Sequence, residues 1–318
     1  MPDDITTWTS RIRAGDIRSL SRAISAVENG APESEPLLRA LFPHSGAAHL
    51  LGVTGAPGTG KSTLVDRLAA HFRRAGDPVG VIAVDPSSPY TGGAILGDRI
   101  RMQGHATDDG IFIRSMATRG FLGGLARATA DVALIMDAAG KRQLLIETVG
   151  VGQDEVDIMG LADCTLVVLV PGLGDEVQAI KAGIMEIADV FVLNKSDRED
   201  TDRFEQQLRA ILSIVPERGG WRAPIVRTIA TENKGIGRLA EAIQEFRGHM
   251  ERSGQLQVRK VASWKQRLLE LLEARFLDRV VARGIGEKGL EATAAEIAAR
   301  RRDPYEAVTE ILKHAGVS

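Results

Sequence analysis

The octet GAPGTGKS, Gly55 to Ser62, has the spacing G-x-x-x-x-G-K-[ST]. Phosphate chemistry gives each of its residue types a task. In Gly55, Ala56, Pro57, Gly58, Thr59 and Gly60 the glycines let the backbone curl, so that successive N–H groups point inward at phosphate oxygens. A helix starting just after the loop adds the favourable end of its dipole. Lys61 is placed to reach the β- and γ-phosphates, the Ser62 hydroxyl to ligate Mg²⁺, and Thr63 completes the candidate phosphate-binding set. A glycine-rich turn without a ligand is the bland alternative. An apolar strand before the loop and a helical pattern after it speak against that reading.

A second constellation addresses the base. FVLNKSD ends an apolar run at Asn194, Lys195, Ser196 and Asp197, an N-K-x-D pattern at a strand end. A carboxylate at Asp197 accepts from guanine N1–H and from the exocyclic amine, whereas adenine offers no such donor pair. Discrimination then comes from an unpaired-group penalty, which is large. The following strand leads into ATENKGI, where Ala230 and Thr231 are positioned to close over the base.

Other residues are candidates for the metal and the γ-phosphate. Asp85 at a strand end and Asp98 in a glycine-flanked loop could join Ser62 and Glu147 around Mg²⁺, which favours oxygen ligands. Asp85 before Pro86 also reads as a turn former, and Asp98 as a helix N-cap. In LLIETVGVGQDE, Gly150 could offer its N–H to the γ-phosphate, and Gln153 could orient water or be an exposed loop residue. The candidate catalytic set is therefore Lys61, Glu147, Gly150 and Gln153.

These residues need elements to hold them. HLLGVTG, PVGVIAVD, GIFIRSM, RQLLIETVG, DCTLVVLV, DVFVLN and APIVRTIA are short β-rich runs, with helix-compatible stretches at 61–75, 122–139, 176–187 and 199–214. Continuous apolar strands alternating with helices predict an α/β fold, with a mostly parallel central sheet covered by helices on both faces. Upstream, Asp16 caps a predicted amphipathic helix over 16–29 that stops at Gly30, and SEPLLRALFP reads as a second short helix. From about 236 the pattern is helical only. One face of the long helix carries Leu268, Leu271, Leu272 and Phe276, and Asp303 with Pro304 opens the last helix. Periodicity leaves open whether this tail packs on the α/β domain or forms an oligomerisation arm. The predicted division is an N-terminal helical extension at 1–45, a nucleotide domain at 46–248 and a C-terminal helical region at 249–318.

The chain of 318 residues is 44% apolar and 26% charged, as in an ordinary globular protein. Forty basic and 42 acidic residues leave a net charge of −2, which argues against a general nucleic-acid binder. The single Cys164 excludes an intramolecular disulfide and reads as a core thiol. No apolar run approaches the roughly 20 residues that span a bilayer. A cytoplasmic protein without a membrane partner is the expectation.

Taken together, GVTGAPGTGKSTL, VDPSSPYTGGAILGDRIRM, TRGFLGGLA, ETVGVGQDEVDI, PGLGDEVQAIKAGI and NKSD resemble the MeaB/ArgK family of GTPases. The resemblance spans residues 10–315 and is most specific across 50–200. That family falls in the SIMIBI class, with the signal recognition particle and hydrogenase-maturation GTPases, where Glu commonly opens the second switch. The resemblance implies a homodimeric P-loop GTPase that binds GTP and GDP with Mg²⁺ and hydrolyses GTP slowly. It would gate cofactor loading, protection and reactivation of an adenosylcobalamin-dependent acyl-CoA mutase, methylmalonyl-CoA mutase or a close relative such as 2-hydroxyisobutyryl-CoA mutase. An adenosyltransferase stays open as a further partner. Family switch I maps onto Asp85 to Arg101 and switch II onto Glu147 to Asp157. A third switch maps onto GLGDEVQAIK with Asp175, Gln178 and Lys181; relatives often carry an acidic residue where this chain has Gln178. The C-terminal helices match the family's dimerisation arm.

Two other enzyme classes fit less of the sequence. An ATP-dependent P-loop kinase is at odds with N-K-S-D. A nickel-inserting hydrogenase-maturation GTPase needs a His- or Cys-bearing site, and LRALFPHSGAAH has only two His. A nucleotide-gated scaffold that acts by occupancy alone is the non-enzymatic reading.

Overall fold

The computed structural model describes residues 4–85, 108–117, 124–148, 150, 160–172, 184–214 and 217–317. Three short helices come first: α1 (Ile5–Arg13), α2 (Ile17–Glu28) and α3 (Ser34–Leu41). The Asp16 side chain caps α2 by accepting from Ser19 N–H at 2.8 Å, as its position predicts. Helix α1 has no counterpart in the sequence reading. Its anchor is Trp8, 1% exposed, whose indole N–H donates to Ser19 O at 3.0 Å beneath the Arg22 guanidinium, 4.6 Å from the ring.

The nucleotide-binding framework follows as β1 (His49–Thr54), α4 (Lys61–Arg74), β2 (Val79–Asp85), β3 (Ile111–Ala117), α5 (Gly124–Ala138), β4 (Gln143–Glu147) and β5 (Cys164–Leu169). A short helical turn at Ile184–Ile187 leads to β6 (Val190–Leu193), α6 (Thr201–Ile214), β7 (Ile225–Arg227), a 3₁₀ turn at Ala230–Glu232 and α7 (Ile236–Arg252). Then come α8 (Gln255–Gly284), α9 (Gly286–Ala298) and α10 (Pro304–His314).

The sheet has seven strands in the order β3-β2-β4-β1-β5-β6-β7. Each neighbouring pair is parallel, with Val53 opposite Glu147 and Leu166 in the β1 registers. The chain winds from β1 outward to β3, returns to β4, and crosses to β5 on the other side of β1. The strand order thus reverses around β1, and in open parallel sheets ligands bind beyond the carboxyl ends at such a point.

Both faces are covered, which is why the strands read as unbroken apolar runs. On one face Leu51, Val53, Val81, Leu145, Leu166 and Val190 meet Leu64 and Leu68 of α4 and Leu239, Ile243 and Phe246 of α7. On the other, Ile82, Val84, Phe112, Leu144 and Ile146 share a core with Val132 and Ile135 of α5 and with Trp8, Ile12, Leu20, Ile24 and Leu37 of the N-terminal helices. Arg114 of β3 ties this layer to the sheet edge by donating to Ser25 Oγ at 3.1 Å and to the Glu28 carboxylate. Cys164 is fully buried in β5, where burial, and next the Asp189 carboxylate, push its thiol pKa well up. It is a core residue, as expected.

Two compact units divide the chain at Met1–Arg259 and Lys260–Ser318. In the second, Val280, Thr293 and Ala307 are buried. A Cβ on Gly284 would lie 2.6 Å from Ile311 O, so α8 and α10 approach closely there. The Asp303 carboxylate caps α10 by accepting from the Tyr305 and Glu306 N–H groups, both at 2.9 Å. Along α8, Trp264, Leu268, Leu272 and Phe276 are each more than half exposed. Among the described residues no helix is long and apolar enough to cross a membrane.

Candidate functional site

The loop between β1 and α4 is the octet read from the sequence, and α4 begins at Lys61. Gly60, its N-cap, has φ of 91°, and a Cβ there would sit 2.6 Å from Asn194 Nδ2. Any other residue would meet backbone strain and block that side chain. The Lys61 ammonium folds over the loop and donates to Gly55 O at 2.8 Å and Ala56 O at 3.2 Å. Thr59 is fully buried, and its hydroxyl donates to Ala56 O at 2.9 Å, which fixes the loop's turn. Pro57 and Gly58 are exposed at its crest.

β4 lies beside β1, so its last residue, Glu147, reaches the start of α4. Ser62 Oγ–H donates to Glu147 Oε1 at 2.6 Å, and both residues are buried. Gly150 approaches from the same strand end; a Cβ on it would lie 2.2 Å from Gly55 O and 2.8 Å from Lys61 Nζ. Sequence reasoning placed Glu147, Gly150, Ser62 and Lys61 in one site, and the structure brings all four together. Among the described residues no group of three or more His, Cys, Asp or Glu forms a metal cluster. A hydroxyl and a carboxylate side by side at a phosphate loop instead suit a hard cation that takes its remaining ligands from phosphate and water.

The base side is built from β6 and β7. Asn194, 2% exposed, donates through Nδ2 to Thr59 O at 2.8 Å. Its Oδ1 accepts from Thr228 Oγ–H at 3.0 Å and Ala230 N–H at 3.2 Å. Lys195 has φ of 55°, an uncommon backbone for a non-glycine residue, and its ammonium donates to Gly58 O at 2.8 Å. Its aliphatic stem thereby runs beside the loop crest. Asp197 and Thr231 are exposed at the rim. The Lys234 pKa is raised, first by its hydrogen bond to Glu232 and more weakly by the field of Asp197.

Two contributors carry no motif letter. Thr228 supplies the hydroxyl on Asn194, and Arg67 of α4 donates Nε–H to Ala230 O at 3.2 Å. Neither stands at a position that local sequence marks. The Asp85 side chain, Asp98, Gln153, Asp175, Gln178 and Lys181 lie outside the described residues.

The arrangement sets a phosphate loop, a hydroxyl–carboxylate pair suited to a hard cation and the N-K-S-D turn side by side beyond the strand ends. A family profile described as methylmalonyl-CoA mutase-associated GTPase MeaB matches residues 20–284. A protein of Pyrococcus abyssi named as a GTPase is 47% identical over 306 residues, covering 95% of this chain and 94% of its own length. The GTPase ArgK of Escherichia coli is 38% identical over 258 residues, covering 78% of this chain and 77% of its own. Among solved structures, one titled as an LAO/AO transport system kinase superposes with a TM-score of 0.74 at 27% identity, covering 98% of each chain. With the P-loop, the Ser62–Glu147 pair and N-K-S-D held in one site, the chain is a P-loop GTPase and belongs to the MeaB family.

Proposed function

We propose that this chain hydrolyses GTP with Mg²⁺ in order to gate cofactor loading, protection and reactivation of an adenosylcobalamin-dependent acyl-CoA mutase, with methylmalonyl-CoA mutase as the partner. The family description supports the choice of partner. The observation that supports the nucleotide chemistry is the bracing of Thr59 and Ala230 by Asn194, which holds the turn after β7 against the phosphate loop.

Each group then has a role. Backbone N–H groups of Gly58 to Ser62 and the Lys61 ammonium hold the phosphate chain and its developing charge. Ser62 and Glu147 are the residues that would hold Mg²⁺, which when bound would neutralise charge developing on the phosphates. Asp197 accepts from the guanine edge, and an adenine nucleotide leaves it unpaired. Gly150, packed on Gly55 and Lys61, carries the second switch against the γ-phosphate position.

Basal turnover is slow and partner-stimulated in this reading, because a GTPase that reports a partner's state must wait for it to order the switches. The exposed face of Trp264, Leu268, Leu272 and Phe276 supports a homodimer built on α8. Single-turnover GTP hydrolysis with and without methylmalonyl-CoA mutase tests the reading. Stimulation is expected, and Lys181→Ala should blunt it while leaving basal hydrolysis nearly intact. Unchanged turnover with the mutase contradicts the gating role, and nucleotide-dependent binding without stimulation favours the scaffold.

A further inference from the structure

The phosphate loop and the base-side turn are joined through a residue of α4 that no motif marks. Arg67 donates Nε–H to Ala230 O at 3.2 Å. Ala230 N–H donates to Asn194 Oδ1 at 3.2 Å, and Asn194 Nδ2 donates to Thr59 O at 2.8 Å. Thr59 lies just before α4 and Arg67 lies within it, so the contacts close a ring: loop, Asn194, Ala230, Arg67, helix, loop. Both main-chain polar groups of Ala230 are held in this ring.

The held turn is a small rigid body. Ile229 and Lys234 exchange both backbone hydrogen bonds, at 3.1 and 3.2 Å, around the 3₁₀ turn Ala230–Glu232. Fixing Ala230 therefore fixes the exposed part of the turn, including Thr231. α4 is a firm support, because Leu64, Val65, Leu68 and Phe72 bury its inner face. Within the turn Ala230 O also accepts from Asn233 N–H at 3.2 Å. Of the side chains that reach the turn from outside it, Asn194 holds Ala230 at its N–H and Arg67 holds it at its carbonyl, so the two brace it from opposite sides.

We infer that Arg67 is a positioning residue for the guanine nucleotide: it pins the Ala230 turn to the P-loop helix and thereby slows nucleotide release. The inference rests on the guanine-nucleotide reading given above. Arg67 touches no reacting atom, so its loss acts on residence time and KM rather than on the chemical step.

Stopped-flow release of mant-GDP from the full chain tests this. Arg67→Met keeps the stem and removes the donor, and is expected to speed release about tenfold and to raise the KM for GTP more than it lowers kcat. Arg67→Lys restores a donor and should recover most of the wild-type residence time. Thr228→Val loosens Asn194 in the same ring and is expected to speed release several-fold. Its effect should be less than additive with Arg67→Met, because both act through Ala230. If Arg67→Met fails to fold, Arg67→Lys and Thr228→Val still read the ring.

A wild type that binds mant-ADP as tightly as mant-GDP overturns the guanine reading itself. Wild-type binding of mant-GDP with unaltered release from Arg67→Met overturns the positioning role and leaves that reading standing. A fall in melting temperature with unchanged release, or fully additive effects of the two substitutions, likewise reduces Arg67 to a structural contact.

Discussion

The two rims of the central sheet use the same kinds of residue for different ends. At the amino ends of the strands, carboxylates are consumed by protein donors; Asp137 and Asp189 are buried and Asp163 is half-buried. Asp137 accepts from the backbone N–H of Gly46, Ala47 and Ala48, and Asp163 accepts from Leu50 N–H. Asp189 takes Thr165 N–H at 3.0 Å and both Arg259 terminal nitrogens, at 2.9 and 2.7 Å. At the carboxyl ends, Glu147 faces a hydroxyl, Lys61 faces backbone carbonyls, and Asn194 braces loops. A buried carboxylate thus staples the fold when its partners are backbone amides and arginine. It serves a site when its partner is a ligand-exchangeable hydroxyl beside a phosphate loop.

Substitutions at each rim sharpen this contrast. The largest effect is expected from Lys61→Ala, which should lower kcat/KM for GTP by about 10³-fold while leaving the urea midpoint nearly unchanged; undiminished hydrolysis would remove Lys61 from the site. At the opposite rim, Asp189→Ala strands the Arg259 charge. It should cost about 3 kcal/mol of unfolding free energy by urea titration, with little direct effect on turnover. A loss of activity in a fully folded Asp189→Ala protein would break the division between the rims. Glu147→Gln keeps the hydrogen bond from Ser62 but removes the charge. It should weaken the Mg²⁺ dependence of GTP hydrolysis by about tenfold in half-saturating metal, with stability conserved.

The smallest effect concerns acid stability. Burial lowers the His49 pKa, and Arg247 adds to this, while Asp163, Gln143 and Glu251 pull the other way. An unfolded histidine protonates near 6.5, but in the folded chain His49 does so only at lower pH. Its contribution to stability is therefore present above about 6.5 and is lost as pH falls through the folded pKa. The melting temperature of wild type should drop more steeply between pH 7.5 and 5.5 than that of His49→Gln; parallel curves would contradict this.

The contrast between the rims also explains what the sequence made legible. The phosphate loop is local: its glycines, Lys61 and Ser62 act within one turn of chain, so their spacing alone declares them. Asn194 was legible because a strand end fixes where it projects. Glu147 was legible as the last residue of an apolar strand, although its contact with Ser62 depends on β4 lying next to β1. Arg67 and Thr228 were not legible, since the Arg67 contact joins positions 163 residues apart and needs only a donor at the right place. Trp8 was missed for a similar reason: α1 is short, and its stability comes from packing on α2, α3 and α5 rather than from its own periodicity. The apolar face of α8 was visible in the sequence, and Leu268, Leu272 and Phe276 on it are exposed.

Isothermal titration of GDP and ADP into the Mg²⁺-loaded protein tests the guanine site most directly. Binding of GDP about 10³-fold tighter than ADP is expected, because only guanine satisfies Asp197 while Asn194 holds the turn around it. Equal affinities, or tighter ADP, would contradict the assignment of the carboxyl rim as a guanine-nucleotide site.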